Sequence, residues 1–215
     1  MSAKPKPFSE KAARELLARY DCPTPYHAVR TRFLGAIATP MPTVAPMAVL
    51  QQLWGGELPE FNSLDAVNEL IGMLVNGLWN DLARHQKRTA PFRLTPIAPA
   101  RTREGLLSFA RLRREEADGF VNGLFGEEDE VDFPESATAA LDHIQNIRAL
   151  LAGTEDLAAD PSKSIETDEL SKTIELLRSL SRILEDEINA LVLACVKNRR
   201  AQMQSPFGPG GGRVH

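Results

Sequence analysis

The sequence predicts an all-α fold, a compact multi-helix bundle with a long C-terminal helix. Apolar residues recur at spacings of three and four along much of the chain, and no segment has the pattern of a convincing strand. Three apolar segments with helical periodicity, residues 33–38, 75–79 and 121–125, each contain a glycine. Glycine inside a helix costs about 1 kcal/mol relative to alanine, so its presence indicates that another backbone or ring comes close. We therefore interpret these segments as the packed centre of a helical domain.

Capping residues and prolines delimit the first helices. Residues 1–7 are predicted to be a disordered arm, after which Ser9 is an N-cap for a short helix that reaches residue 20. A second helix is expected at 25–38, because proline is favoured in the first helical turn. A third is expected at 46–54, and the Gly-Gly pair that follows would end it.

The residue pattern in the middle of the chain predicts two longer helices joined by a proline-containing loop. The first follows the capping residue Ser63 and reaches about residue 85. Its apolar line is Leu64, Val67, Ile71, Leu74, Leu78 and Leu82. In the loop at 89–100, Phe92, Leu94 and Ile97 are expected to pack against the core. The second helix spans about 103–125, with a bend or break near Gly119 as an open alternative.

The remaining third of the chain predicts two helices and a tail. After an acidic loop at 127–130, a helix begins at Pro134 and ends before Gly153, with Leu141, Ile144, Ile147 and Leu151 on its apolar face. The predicted organisation is an all-α domain at 8–152, a linker at 153–166, a long helix at 167–203 and a flexible tail at 204–215.

Composition and charge exclude several classes of protein. The formal net charge of −4 gives no general attraction to nucleic acid or to an anionic membrane. The two cysteines, Cys22 and Cys195, are far apart and suggest neither a disulfide framework nor a zinc site. No signal-peptide pattern opens the sequence, and its longest apolar run, 190–196, is far shorter than the ~20 residues of a membrane span. We expect a cytoplasmic protein with no membrane contact.

The order of several short motifs resembles a known family. These motifs are Pro46 to Trp54, Gly55-Gly56, Pro59-Glu60-Phe61, a helix with Leu74 and Asn80, the Pro96 segment, and Gly119-Phe120-Val121-Asn122-Gly123. Together they resemble the YecA/YgfB-like family of uncharacterised bacterial proteins over about residues 26–125. The resemblance implies an all-α fold and a bacterial cytoplasmic origin, and it implies no general activity.

The chain also departs from that family pattern. Val49 and Glu116 stand where many members carry tryptophan. Many YecA-type members end in a cysteine-rich metal-binding tail, whereas this sequence ends in glycine and proline residues without cysteine. Metal binding is therefore not expected to carry over.

No residue pattern favours catalysis or a cofactor. The four histidines, His27, His85, His143 and His215, stand singly, without the spacing of a metal-ligand pair. No nucleophile elbow or phosphate-binding glycine loop occurs, and Cys22 lacks basic neighbours in sequence that would lower its pKa. We predict no catalytic residue, no cofactor and no metal, and a metal-dependent enzyme is the least favoured hypothesis.

The strongest local positive charge is an arginine set in the helix at 103–125. Arg103, Arg111 and Arg114 fall near one helical face and could meet a phosphate or an acidic partner. Glu115 and Glu116 follow immediately, so pairing of charges on the helix surface is the favoured alternative.

The last predicted helix carries the clearest signal of an interaction. A heptad line, interrupted only by Ser181, consists of Leu170, Ile174, Leu177, Leu184, Ile188, Leu191 and Cys195. A second line, Thr173, Leu176, Leu180 and Ile183, runs beside it. One line could pack on the domain while the other meets a partner or a second copy, or both could be buried within the monomer.

The favoured function from sequence is a non-enzymatic protein-interaction or regulatory protein, with self-association through the long helix. The alternative from another class is nucleic-acid binding through the arginine set.

Overall fold

The computed structural model describes residues 8–41 and 44–204, so the predicted arm and nearly all of the predicted tail lie outside the described part. The described residues form helices and loops without a strand, which confirms the all-α prediction. The helices are α1 Glu10–Arg19, α2 Tyr26–Ala38, α3 Pro46–Gln52, α4 Leu64–Met73, α5 Asn80–Leu82, α6 Arg103–Phe125, α7 Glu135–Ala159 and α8 Thr167–Gln204.

Side-chain caps define the starts of three helices. Ser9 accepts a hydrogen bond from the backbone N–H of Ala12 at 3.3 Å, and Ser63 accepts one from Ala66 at 3.2 Å. Both caps agree with the sequence, since serine oxygen satisfies a free N–H of the first turn. Thr102 caps α6 in the same way.

The centre of the fold is a close crossing of α2 and α6. Gly35 of α2 faces the backbone of Phe120, and Gly123 of α6 faces the backbone of Arg32, so that a Cβ at either glycine would overlap a carbonyl oxygen. A Cβ at Gly119 would lie 2.6 Å from the carbonyl oxygen of Ala28. The glycines thus let the two backbones touch, and α6 runs through Gly119 without the break that the sequence left open.

The helix after Ser63 contains a π turn that periodicity did not predict. A π-helix at Leu74–Trp79 and a 3₁₀ turn at Ala83–Gln86 flank α5. The buried residues are Leu70, Leu74, Leu78 and Leu82, whereas Leu64 is 82% exposed. Residues four apart drift by about 40° per step in an ideal α-helix, so a wider turn is needed to keep this line facing the core. The prediction that Leu64 lies on the buried face was wrong.

The loop between the 3₁₀ turn and α6 is held by side chains of α8. Phe92 and Leu94 are buried and Ile97 packs against the core, as predicted. The amide of Asn189 accepts from Phe92 N at 2.7 Å and donates to Phe92 O at 3.1 Å. Glu185 accepts from the N–H of Leu94 at 2.9 Å. The loop therefore finds its backbone partners in polar residues of the last helix.

Helix α7 is longer than its sequence indicates. It continues through Gly153 to Ala159, so the connection to α8 covers 160–166 rather than 153–166. A Cβ at Gly153 would meet nothing within 4 Å, which means that this glycine relieves no crowding. Beyond it, Glu155 and Ala158 are buried, and this packing keeps the last turns helical despite the glycine.

No helix in the described part of the chain has the length and apolar character needed to cross a membrane.

Candidate interaction surface

Helix α8 packs on the rest of the chain along its first apolar line. All six residues that the sequence proposed for interaction are buried within the chain: Leu170, Ile174, Leu177, Leu184, Ile188 and Leu191. They face α7, α6 and α2, and their burial supplies much of the adhesion between this helix and the bundle. In this fold they are not available to a partner.

The second line of α8 remains largely open to solvent. Leu176 is 57% exposed and Ile183 is 46% exposed, and Leu180 between them is half-buried. On the adjacent helix α7, Leu150 is 55% exposed. We call Leu150, Leu176, Leu180 and Ile183 the α7–α8 patch.

One polar contact fixes how the two helices of the patch lie together. His143 Nδ1 of α7 is 2.7 Å from Glu187 Oε1 of α8. The two helices pack against each other and are joined by the short connection 160–166, so they run antiparallel. Stepping seven residues along each in opposite directions therefore brings Leu150 level with Leu180. Residues seven apart share a helical face, which means that Leu150 lies on the His143 side of α7 and Leu180 on the Glu187 side of α8. The four apolar residues therefore share one side of the helix pair.

The arginine set is engaged by the chain itself. Arg111 Nε lies 2.8 Å from Glu155 Oε1, and Arg114 Nε lies 2.9 Å from Glu155 Oε2 without the alignment of a hydrogen bond. Arg103 donates to the backbone oxygens of Asp160, at 3.0 Å, and Lys163. Hydrogen bonding to Glu155 raises the pKa of Arg111. These contacts tie α6 to α7 and to the loop after it, which leaves less of their charge for a phosphate or an acidic partner.

A buried ion pair that sequence reasoning missed lies beside the arginine set. Arg113 and Glu116 of α6 contact each other and are both buried, with Glu116 fully so. Arg113 also donates to Ser181 Oγ at 3.0 Å and to Thr95 O at 2.8 Å, and Glu116 accepts from Thr95 N at 2.7 Å. In the sequence, the only signal of this buried pair was Ser181, the polar residue in the otherwise apolar heptad line. The network joins α6, the loop and α8.

A basic groove lies at the far end of α8. Its volume is about 740 Å³, and it is formed by the loop after the 3₁₀ turn and the last turns of α8. Lys87, Arg88, Lys197 and Arg200 line it, and none of its ten described lining residues is acidic. Unlike the arginine set, the four basic residues of this groove form no ion pair among the described residues.

The histidines that the structure describes are each held by a single partner. His27 Nε2 lies 2.7 Å from Glu115 Oε2, and His85 Nδ1 lies 2.8 Å from the carbonyl oxygen of Ala90. Burial lowers the pKa of His85, which favours its neutral form. His215 lies outside residues 8–204. Over the described ranges, no three His, Cys, Asp or Glu side chains converge as metal ligands would.

The two thiols have surroundings that suppress reactivity. Burial raises the pKa of Cys195 to about 12, and burial also raises the pKa of Cys22, whose thiol points at Leu53 O at 3.7 Å. The thiolate is the reactive form, so both thiols should react slowly at neutral pH.

We expect Ellman's reagent at pH 8 to react with either thiol of the folded chain at least about tenfold more slowly than with free cysteine. Unfolding in guanidinium chloride should make both thiols react at the rate of free cysteine. Cys22→Ser and Cys195→Ser variants would show which thiol accounts for each part of the reaction. A folded Cys22 that reacts faster than free cysteine would show an activated thiol and contradict this assignment.

Comparisons with known proteins give no relative from which a function could be inferred. No family model matches the chain. Curated proteins and solved structures likewise gave no match. The resemblance to the YecA/YgfB-like family therefore stays a prediction from motif order.

Proposed function

We propose that this chain is a non-enzymatic protein-interaction module that binds a protein partner through the α7–α8 patch. The observation that carries the proposal is the exposure of three large apolar side chains, Leu150, Leu176 and Ile183, on one side of the α7–α8 helix pair. Single exposed apolar residues are ordinary, but a cluster on one face favours a binding surface.

The mode of binding follows from the geometry of the patch. Leu176, Leu180 and Ile183 repeat at spacings of four and three, and Leu150 extends the apolar surface onto α7. Such a surface fits the apolar face of a partner helix that lies along α8 and extends its contact toward α7. The helix pair beneath is fixed by its buried line, so the patch is presented without a cost for ordering.

A photo-crosslinker beside the patch tests this proposal. The intact chain would carry p-benzoylphenylalanine in place of Arg182, an exposed residue of α8 next to Ile183. The matched control would carry it in place of Lys11, an exposed residue of α1. In cells of the organism of origin, we expect a discrete crosslinked species only from position 182, and we expect Leu176→Asp with Ile183→Asp to abolish it.

Those two substitutions should leave the fold intact. Both side chains are exposed, and surface substitutions usually change stability by less than about 0.5 kcal/mol. Equal crosslinking from positions 11 and 182, or crosslinking that survives both aspartates, would refute the patch as a binding surface.

Nucleic-acid binding remains the second candidate because of the basic groove. The groove could neutralise phosphates with Lys87, Arg88, Lys197 and Arg200. It contains no aromatic side chain among its described lining residues for stacking a base, which makes this candidate weaker than the patch.

A mobility shift with salt titration separates the two sites. If the groove binds nucleic acid, Lys197→Ala with Arg200→Ala should weaken binding and reduce its salt dependence. The comparison variant, Arg111→Ala with Arg114→Ala, should leave binding unchanged. Absence of salt-sensitive binding by the unaltered chain would remove this candidate.

A further inference from the structure

The residues along the exposed edge of α8 form a self-complementary series. At positions 172, 176, 179, 183 and 186 the helix carries Lys, Leu, Ser, Ile and Asp. Their spacings of four and three place all five on one line along the helix. Lys172, Ser179 and Asp186 are exposed, as are Leu176 and Ile183, and neither Lys172 nor Asp186 forms an ion pair within the described part of the chain.

The charges of two copies of this line are complementary only when the two helices run antiparallel. If two α8 helices cross antiparallel with Ser179 at the crossing point, Lys172 of each lies beside Asp186 of the other. Leu176 of each then lies beside Ile183 of the other. A parallel arrangement would instead bring Lys172 next to Lys172 and Asp186 next to Asp186. Like charges that face each other disfavour a pairing, so the charge pattern selects the antiparallel one.

The small residue at the centre suits a close crossing. Ser179 carries the shortest side chain of the five, and its hydroxyl bonds to Glu175 O at 3.2 Å on its own helix. Small residues at a crossing point let helices approach, while larger apolar residues on both sides fill the space. Leu180 and Leu150 border this line and would extend the contact toward α7.

We propose that the partner of the α7–α8 patch is a second copy of this chain, which docks antiparallel across a two-fold axis that passes close to Ser179. This inference rests on the proposed function, because it names the occupant of the same patch. A two-fold interface repeats every contact, so that two Lys172–Asp186 pairs and two Leu176–Ile183 contacts form together.

The size of the contact sets its strength. Residues 172–186 span about 21 Å of helix. One helix face of that length buries less surface than the roughly 800 Å² per partner of a stable interface. We therefore expect a reversible dimer with a dissociation constant in the micromolar range, and not a permanent one.

Sedimentation equilibrium of the intact chain over a concentration series, combined with charge reversal, tests the proposal. Lys172→Asp alone and Asp186→Lys alone each place like charges at both ends of the crossing, and each should weaken the dimer about tenfold. The combination of both substitutions in one chain restores opposite charges and should return the constant to within about twofold of the unaltered chain. Ile183→Asp should leave only monomer.

Mixing the two single variants gives an independent check that positions 172 and 186 face charged residues of the other copy. The direction of the pairing is given by the combined variant, because only the antiparallel crossing loses affinity in the single variants and regains it in the combination. A Lys172→Asp copy and an Asp186→Lys copy present opposite charges to each other in the antiparallel pairing, so the mixture should associate more tightly than either variant alone. Restoration by the combined variant and by the mixture supports the inference. A monomer at about 500 µM, or a dimer indifferent to these charges, overturns it.

The crosslinking experiment distinguishes failure of this inference from failure of the proposed function. A crosslink from position 182 to a different protein, with a monomeric chain in sedimentation, would sustain the patch as a binding surface and refute the second copy as its occupant. Loss of both the crosslink and the dimer would refute both.

Discussion

Substitution of Gly123 by alanine is expected to lower the free energy of unfolding by about 3 kcal/mol. The added Cβ would overlap the carbonyl oxygen of Arg32 and lie 2.9 Å from the backbone N of Ala36. These are backbone atoms in the middle of α2, so no side chain can rotate away and the two helices must separate. Their separation loosens contacts along the whole crossing, which outweighs the gain of about 1 kcal/mol in helix propensity. Chemical denaturation followed by circular dichroism measures the change.

Gly153→Ala and Gly72→Ala are the matched controls. Both glycines lie inside helices, and a Cβ at either would meet nothing within 4 Å. Both variants should therefore be as stable as the unaltered chain or more stable by up to about 1 kcal/mol. Combining Gly35→Ala with Gly123→Ala should cost less than the sum of the two, because the first substitution already separates the helices. A Gly123→Ala chain as stable as the Gly153→Ala chain would contradict the close crossing.

Removal of either member of the Arg113–Glu116 pair is expected to cost about 3–5 kcal/mol. Arg113→Met leaves the carboxylate of Glu116 in a fully buried position without its counter-charge, and Glu116→Leu strands the guanidinium. Each variant also removes a hydrogen bond to the backbone of Thr95 and so loosens the loop between the 3₁₀ turn and α6. Thermal and denaturant unfolding should both show the loss.

The double variant Arg113→Met with Glu116→Leu should cost clearly less than the sum of the two single variants. Neither charge is then left alone, although Thr95 and Ser181 still lose partners. Arg148→Met is the control. Arg148 of α7 forms an ion pair at 2.8 Å with Asp118, which lies on α6 like the buried pair but at a partly exposed site. Its loss should cost less than about 1 kcal/mol. Single variants at 113 and 116 that cost no more than Arg148→Met would show that the pair contributes little.

Most helices could be predicted because their boundaries depend on local chemistry. Ser9 and Ser63 cap the helices that they were predicted to cap, and the glycine-containing segments at 33–38 and 121–125 form the crossing that they indicated. These features involve residues a few positions apart, so a single sequence contains the information.

The interaction surface could be predicted only in part. The two apolar lines of α8 were visible as lines, but nothing local decides which of them faces the bundle. That choice follows from packing against α7 and against α6, which ends more than forty residues before α8 begins. The same limit applies to the arginine set, since Glu155 is invisible as a partner until α7 is known to continue past Gly153.

By itself, the sequence determined the helical class, the caps, the glycines of the helix crossing and the presence of a doubly apolar last helix. Only the tertiary structure decided that the first apolar line of α8 is buried while Leu176 and Ile183 of the second line stay exposed. It also decided that Arg113 and Glu116 form a buried pair. The physical reason is that periodicity and capping are set by neighbours along the chain, whereas burial and charge pairing are set by whichever distant helix comes to lie alongside.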